Sequence, residues 1–136
     1  MTLTYSDLSD LITGHRNPVR VGEIPYDIAQ KLKLRNFGVY LSRDSLNHIH
    51  QEHPDVTAYQ LLYLPYILRH GLIVQEIAKP HCLIASYYVA TEQKRYMAVL
   101  KCVAKGTEAW ITTFHRAHVR QTRRMLKKGL ILKRHD

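Results

Sequence analysis

The spacing of apolar residues changes near position 72. Before it, apolar positions recur three and four apart or cluster between prolines and glycines. After it they fall into runs rich in Val, Ile, Leu and Tyr. The first spacing is that of helices with one buried face, the second that of strands. Thr4 or Ser6 caps a first predicted helix, which Gly14 stops after Thr13. Residues 14–21, with Asn17-Pro18, read as a loop. Pro25 opens a helix over 26–34 with Ile28, Leu32 and Leu34 as its apolar positions. Asn36-Phe37-Gly38 is a turn, and 39–41 a short strand. Ser42 caps a helix over 43–53. Pro54 ends it, because proline disfavours helical geometry in the residue before it. Asp55 caps the next helix, which carries Tyr59, Leu61 and Leu62 and breaks near Leu64 on account of Pro65. Gly71 stops the chain after Arg69-His70.

Four strands are expected next, over 72–77, 82–90, 94–103 and 108–114. Lys79-Pro80, Thr91-Glu92-Gln93 and Lys105-Gly106-Thr107 punctuate them, and turns this short make antiparallel hairpins. A last helix runs from 117 to 128 with Gly129 as its C-cap. Val119, Thr122 and Leu126 form its apolar face, and Arg116, Arg120, Arg123, Arg124 and Lys127 its cationic one. Helices, then a meander, then a helix predict an α+β domain: N-terminal helices on an antiparallel sheet of about four strands, with a basic C-terminal helix. One domain over 1–136 is expected, with a peripheral segment (1–21), a mainly helical part (22–71), the sheet (72–114) and the basic helix and tail (115–136).

Charge changes this picture. Twenty Lys and Arg stand against eleven Asp and Glu. Residues 115–136 hold eight of the basic residues and one acid, which is +7 of the total +9. So local an excess makes a positive field over one region of surface, and phosphate backbones are its usual target. The alternative is a solvated helix face, although such faces normally mix signs. No apolar run reaches the roughly 18 to 20 residues that span a bilayer, and no membrane partner is expected. The first ten residues lack the features of a secretory leader, and the only cysteines, Cys82 and Cys102, sit in strand-like stretches where a free thiol is usually a small buried hydrophobe. A cross-strand disulfide is not demanded. The expected site of action is the cytoplasm, with delivery into a target cell left open.

Nine histidines supply side chains that both take and give protons near neutrality. They cluster at His48, His50 and His53 on the third helix, and at His115 and His118 where the last strand meets the basic helix. No HExxH or HxxEH is present, nor a paired Cys set for zinc. GxSxG and glycine-rich phosphate loops are also missing. No metal or other cofactor is therefore expected, although His50 and His53 leave a metal site open. Metal-free RNA cleavage needs a base for the ribose 2′-OH, an acid for the leaving 5′-oxygen and a donor for the phosphorane charge. The chain offers His48, His53, Thr113, His115 and Lys101 for these roles. Strict alternation puts Trp110, Thr112 and Phe114 on a helix-packed face and Ile111, Thr113 and His115 on the other. Lys101 lies beside Thr113 only if the register joins their faces, which the sequence leaves open. One of Tyr87 and Tyr88 packs; Tyr88 is the candidate to stack on a base. Against these roles stand ordinary ones: His48 bonded to a backbone carbonyl, His53 as a cation favoured by a helix C-terminus, Thr113 as a β-branched strand residue, and Lys101 as a solvated edge charge.

Val39-Tyr40-Leu41-Ser42, Leu46-Asn47-His48-Ile49, Glu52-His53-Pro54, Leu64-Pro65-Tyr66-Ile67-Leu68 and Ile111-Thr112-Thr113-Phe114-His115 follow one another in order. This series resembles the phage-associated nucleases of the barnase–EndoU–colicin–RelE-like superfamily, which includes bacterial toxin domains. The likeness covers roughly residues 39–120; residues before about 21 lie outside it, and His50 has no counterpart. It implies helices against an antiparallel sheet, RNA on the sheet's open face, and metal-independent endonuclease action, often on tRNA. By position, His48 and His53 match the helix histidines and Thr113 and His115 the strand motif. Arg116, Arg120, Arg123, Arg124, Lys127, Lys128 and Tyr88 are the expected RNA contacts. The expected partners are RNA and an acidic immunity protein or antitoxin covering the cationic cleft. The alternatives are a non-catalytic RNA-binding or regulatory module of the same fold, and a protein-interaction domain.

Overall fold

A computed structural model describes residues 3–103 and 108–133. The expected Lys105-Gly106-Thr107 turn lies outside the described residues, as do Arg134, His135 and Asp136 of the basic tail. Among the described residues the order is α1 (Tyr5–Thr13), β1 (Val19–Glu23), α2 (Tyr26–Lys31), β2 (Gly38–Leu41), α3 (Arg43–Glu52), α4 (Ala58–Leu61), α5 (Leu64–His70), β3 (Leu72–Glu76), β4 (Cys82–Val89), β5 (Lys94–Cys102), β6 (Ala109–Ala117), α6 (Val119–Lys128) and β7 (Gly129–Lys133). The fold is α+β. Its sheet has seven strands in the order β1-β2-β6-β5-β4-β3-β7, not about four. All neighbours are antiparallel except β2 and β6, which run parallel.

Local chemistry sets most boundaries. Thr4 caps α1 with a reciprocal pair: Asp7 N–H donates to Thr4 Oγ1 (3.2 Å) and Thr4 N–H to Asp7 Oδ2 (2.9 Å). Ser42 Oγ accepts from Ser45 N–H at 3.1 Å and starts α3, which ends before Pro54. Pro65 begins α5 rather than kinking a longer helix, since a first turn needs no proline N–H. α4 is capped at Thr57, not Asp55. α2 stops at Lys31, short of the expected 34, and Lys33 takes a left-handed φ of 56°.

The helices divide between the two faces of the sheet. Helices α1 to α5 bury Leu8, Leu11, Leu46, Ile49, Leu64 and Ile67 against one face, where Ile111, Phe114, Leu100 and Ala98 meet them. On the other face α6 lays Met125 over Val74, Met97 and Ala117. The expected apolar stripe of α6 is therefore corrected: Val119 is 69% and Leu126 41% exposed, while Met125 is buried. Gly129 is not a left-handed cap. Its φ of −127° is ordinary strand backbone. It is small because a Cβ there would lie 1.9 Å from Val74 Cγ1 and 3.0 Å from the Met125 carbonyl oxygen. From it the chain continues as β7, pairing with β3.

A bulge in β6 corrects the expected faces. Leu100 pairs with Ile111 but Val99 with Thr113, so Thr112 is an extra residue, and its hydroxyl donates to the Val99 carbonyl at 3.1 Å. Ile111 and Phe114 thus both face the helices and are buried. Trp110 shares the opposite face with Thr113 and His115, its ring 5.6 Å from that of Tyr40. Between β4 and β5, Glu92 accepts hydrogen bonds from Tyr63 and Tyr96. These bonds, the one from Tyr63 foremost, hold its carboxyl below the usual range. Burial, and secondarily Glu92, push the Tyr96 hydroxyl up. Cys82 and Cys102 are free thiols; burial raises Cys102 to about 11.

Candidate functional site

Leu46 and Ile49 anchor α3 on the sheet, and α3 lies along β6. His53 closes this helix, its N–H donating to the Ile49 carbonyl at 2.7 Å. β2 pairs with β6 only at Ala109 and Trp110, so the later half of β6 has a strand on one side alone. There the imidazoles of His53 and His115 meet, ring centroids 4.8 Å apart and planes 29° from parallel. Both rings are half-buried. His115 Nδ1 lies 3.0 Å from the Arg116 carbonyl oxygen. A carbonyl only accepts, so Nδ1 carries the proton and Nε2 of the neutral ring is left as an acceptor.

Burial, then the nearby His115 charge, lower the pKa of His53 below its ordinary 6.5, against the weaker pull of Asp55 and Glu52. A helix C-terminus by itself favours a cationic ring; burial and the like charge of His115 act in the opposite direction on His53. A separation of 4.8 Å is contact distance for two rings. No phosphate fits between them, so the pair addresses a substrate from one side.

The other predicted residues are distributed around this pair. His48 is exposed one turn back on α3, with Nε2 3.8 Å from Glu52 Oε1; its charge reaches His53 but its ring does not join the stack. His50 is half-buried on the same helix. Thr113 is half-buried, two residues before His115 on the same face. Lys101 is exposed and stands opposite Trp110, whereas Met97 stands opposite His115. The four-residue step from Met97 to Lys101 along β5 is roughly 13 Å, so Lys101 shares the face but not the immediate surroundings of the histidines.

Helix α6 brings cations closer. A cavity of about 390 Å³ lies along one side of α6 where it meets the sheet, lined by His115 and Met97 from the strands, Gln121, Arg124 and Lys128 from the helix, and Glu76. Positions 121, 124, 125 and 128 form one helical face at steps of three, one and three, distinct from the more apolar stripe at 119, 122 and 126. Glu76 and Met97 carried no sequence signal, because only strand pairing brings them here. Arg116 proves to lie on β6, not on the helix. Arg123 faces a second concavity with Arg116 and Tyr88. Arg120 and Lys127 are exposed and line neither of these two hollows. Among the described residues, no three His, Cys, Asp or Glu side chains group to hold a metal ion, and no helix is long and apolar enough to cross a membrane.

No family model matches this chain, and neither a curated protein nor a solved structure does.

Proposed function

We propose that this protein is a metal-independent RNA endonuclease, as the resemblance to the barnase–EndoU–colicin–RelE-like nucleases implies. The observation that carries the reading is the half-buried His53–His115 pair, one ring of which opens into a cavity edged by Arg124 and Lys128. A proton acceptor beside fixed cations is what attack by a ribose 2′-OH on its own phosphate needs. In this reading His115 Nε2 takes the 2′-OH proton. His53, whose pKa burial lowers, packs on the ring and fixes its orientation. O2′ bonds to phosphorus as the bond to O5′ breaks, giving a 2′,3′-cyclic phosphate and a 5′-hydroxyl. Arg124 offsets the charge on the phosphorane, the role the sequence offered to Lys101. The proton for O5′ arrives from the opposite side of phosphorus, and Lys128 across the cavity is its candidate source. His48 and Thr113 border the site, and Lys101 contacts substrate farther along the sheet. A tRNA substrate, a toxin or phage setting and an acidic inhibitor over the cationic face all fit this reading.

The test is incubation of purified protein with total tRNA in EDTA, beside a His115→Ala control. The expected result is cutting by the wild type alone, with cyclic-phosphate ends and no cut where the 2′-OH is replaced by hydrogen. RNA that is bound in a salt-dependent manner but stays intact supports the non-catalytic RNA-binding module instead. Equal cutting by both proteins overturns the assignment of the site.

A further inference from the structure

The hollow on the opposite side of α6 holds no predicted catalytic histidine, yet it is the more cationic of the two. It measures about 380 Å³ and is walled by Arg95, His118 and Arg123, with Tyr88 at one side; Lys94 and Arg116 border it from strand positions of the opposite parity. Among the described residues no carboxylate lines it. The nearest acid in sequence, Glu92, is already taken by Tyr63 and Tyr96. Strand register explains the shape: Tyr88 pairs with Arg95, and Arg95 with Ala117, in one row across β4, β5 and β6. Ala117, having no side chain beyond Cβ, leaves the floor of the hollow low. Arg95 is held in place, its Nη1 donating to Ser86 Oγ at 3.1 Å, while Tyr88 is 43% exposed. Clustered cations and an open aromatic face are complementary to a phosphate and a base together.

We infer that this hollow is a nucleotide subsite for single-stranded RNA, with the base stacked on Tyr88 and its phosphate held by Arg95 and Arg123. The inference rests on the reading of the protein as an RNA enzyme and adds where the strand runs. Ala117 lies two residues beyond His115 on β6, roughly 6.7 Å along the strand. The two hollows flank α6, so a strand that occupies both passes around the N-terminal end of this helix. The subsite favours any base, because stacking uses the π-face that all bases share.

The experiment uses a fluorescent 2′-O-methyl RNA hexamer, which cannot supply the attacking hydroxyl, so that binding is read apart from cleavage. Anisotropy titrations at several salt concentrations compare the wild type with Tyr88→Leu, Tyr88→Phe and Arg123→Gln. Tyr88→Leu is expected to weaken binding roughly 5- to 150-fold, the range of single base–aromatic stacks, without changing the salt dependence, and Tyr88→Phe to retain affinity. Arg123→Gln is expected to lower the slope of log K against log salt by about 0.7. Wild-type affinity in Tyr88→Leu overturns the subsite while leaving the histidine site intact. Conversely, loss of binding in Tyr88→Leu together with absence of tRNA cleavage by the wild type retains the subsite and overturns the catalytic reading. A hexamer that the wild type does not bind overturns the subsite, and the tRNA cleavage assay decides the catalytic reading separately.

Discussion

Replacing Gly129 by alanine tests how α6 is held over the candidate site. The glycine backbone, at φ −127° and ψ 159°, suits any residue, so backbone conformation alone predicts a gain. Alanine narrows the unfolded ensemble and stabilises by about 0.4–1 kcal/mol where no clash follows. Here one does follow, because the new methyl falls 1.9 Å from Val74 Cγ1, against about 3.5–4.0 Å for carbons in contact. Val74 is fully buried and cannot swing into solvent. Overpacking of this depth belongs at the upper end of the usual range, about 3 kcal/mol, which leaves a net loss of about 2 kcal/mol. For a chain of 136 residues the unfolding entropy is about 0.29 kcal/mol/K, so the midpoint falls by about 7 °C. Thermal unfolding followed by circular dichroism measures it. Adding Val74→Ala identifies the cause. Alone it costs about 2 kcal/mol. Combined with Gly129→Ala it removes the atom that is struck, so the double variant loses less than the two singles together, by about 1–2 kcal/mol. A Gly129→Ala protein as stable as the wild type, or losses that simply add, would refute the account of how β7 and α6 fit against β3.

His115→Ala is expected to lower kcat/KM on RNA by about 10²- to 10⁴-fold, the usual scale of a general base, while Lys101→Gln acts on KM; equal effects from both would count against the separation of their positions. His53 makes stability depend on pH. Its folded pKa lies below the unfolded value of 6.5, so between the two the unfolded chain binds more protons. The His53 contribution is therefore fully present well above 6.5 and is lost as pH falls through it toward the folded value. Urea midpoints should drop on acidification and drop less in His53→Gln; parallel curves would exclude this source. Thr4→Ala removes the α1 cap and should cost about 1 kcal/mol in the same assay, with an unchanged midpoint counting against the reciprocal bond to Asp7.

The sequence was most legible where local chemistry decides. Ser42 and Pro54 bound α3, Thr4 and Gly14 bound α1, and the β-rich runs lie close to the observed limits of β3 to β6. What it did not disclose depends on distant partners. β1 reads as loop because Asn17-Pro18 and Gly22 flank or interrupt it; it is a strand because β2 supplies the ladder. β7 reads as a cap and tail, and it exists because β3, far back in the chain, offers an edge. The packed face of α6 is not legible in the sequence because the more apolar stripe, Val119, Thr122 and Leu126, is left exposed or half-buried, while the fit of the lone Met125 over Val74 and Met97 selects the other side. Of the candidate residues, the sequence named His48, His53 and His115 alike; the rings of His53 and His115 meet, while that of His48 stands apart. The sequence could not foresee that Arg124 and Lys128 line a cavity with His115, which the seating of α6 through Met125 decides, or that Lys101 lies farther along the sheet, which the strand register decides.

The extra residue in β6 bears on how this strand tolerates changes of length. Removing almost any residue from a half-buried strand exchanges inside and outside for everything beyond the cut. Thr112 is different, being already unmatched by any residue of β5. Without it, Trp110, Ile111, Thr113, Phe114 and His115 would alternate strictly and keep the sides they now occupy, losing only the local bend that the insertion imposes. Homologues shortened by one residue at this point would therefore keep the histidine outward and the phenylalanine inward, and would differ in the angle at which the imidazole approaches the end of α3.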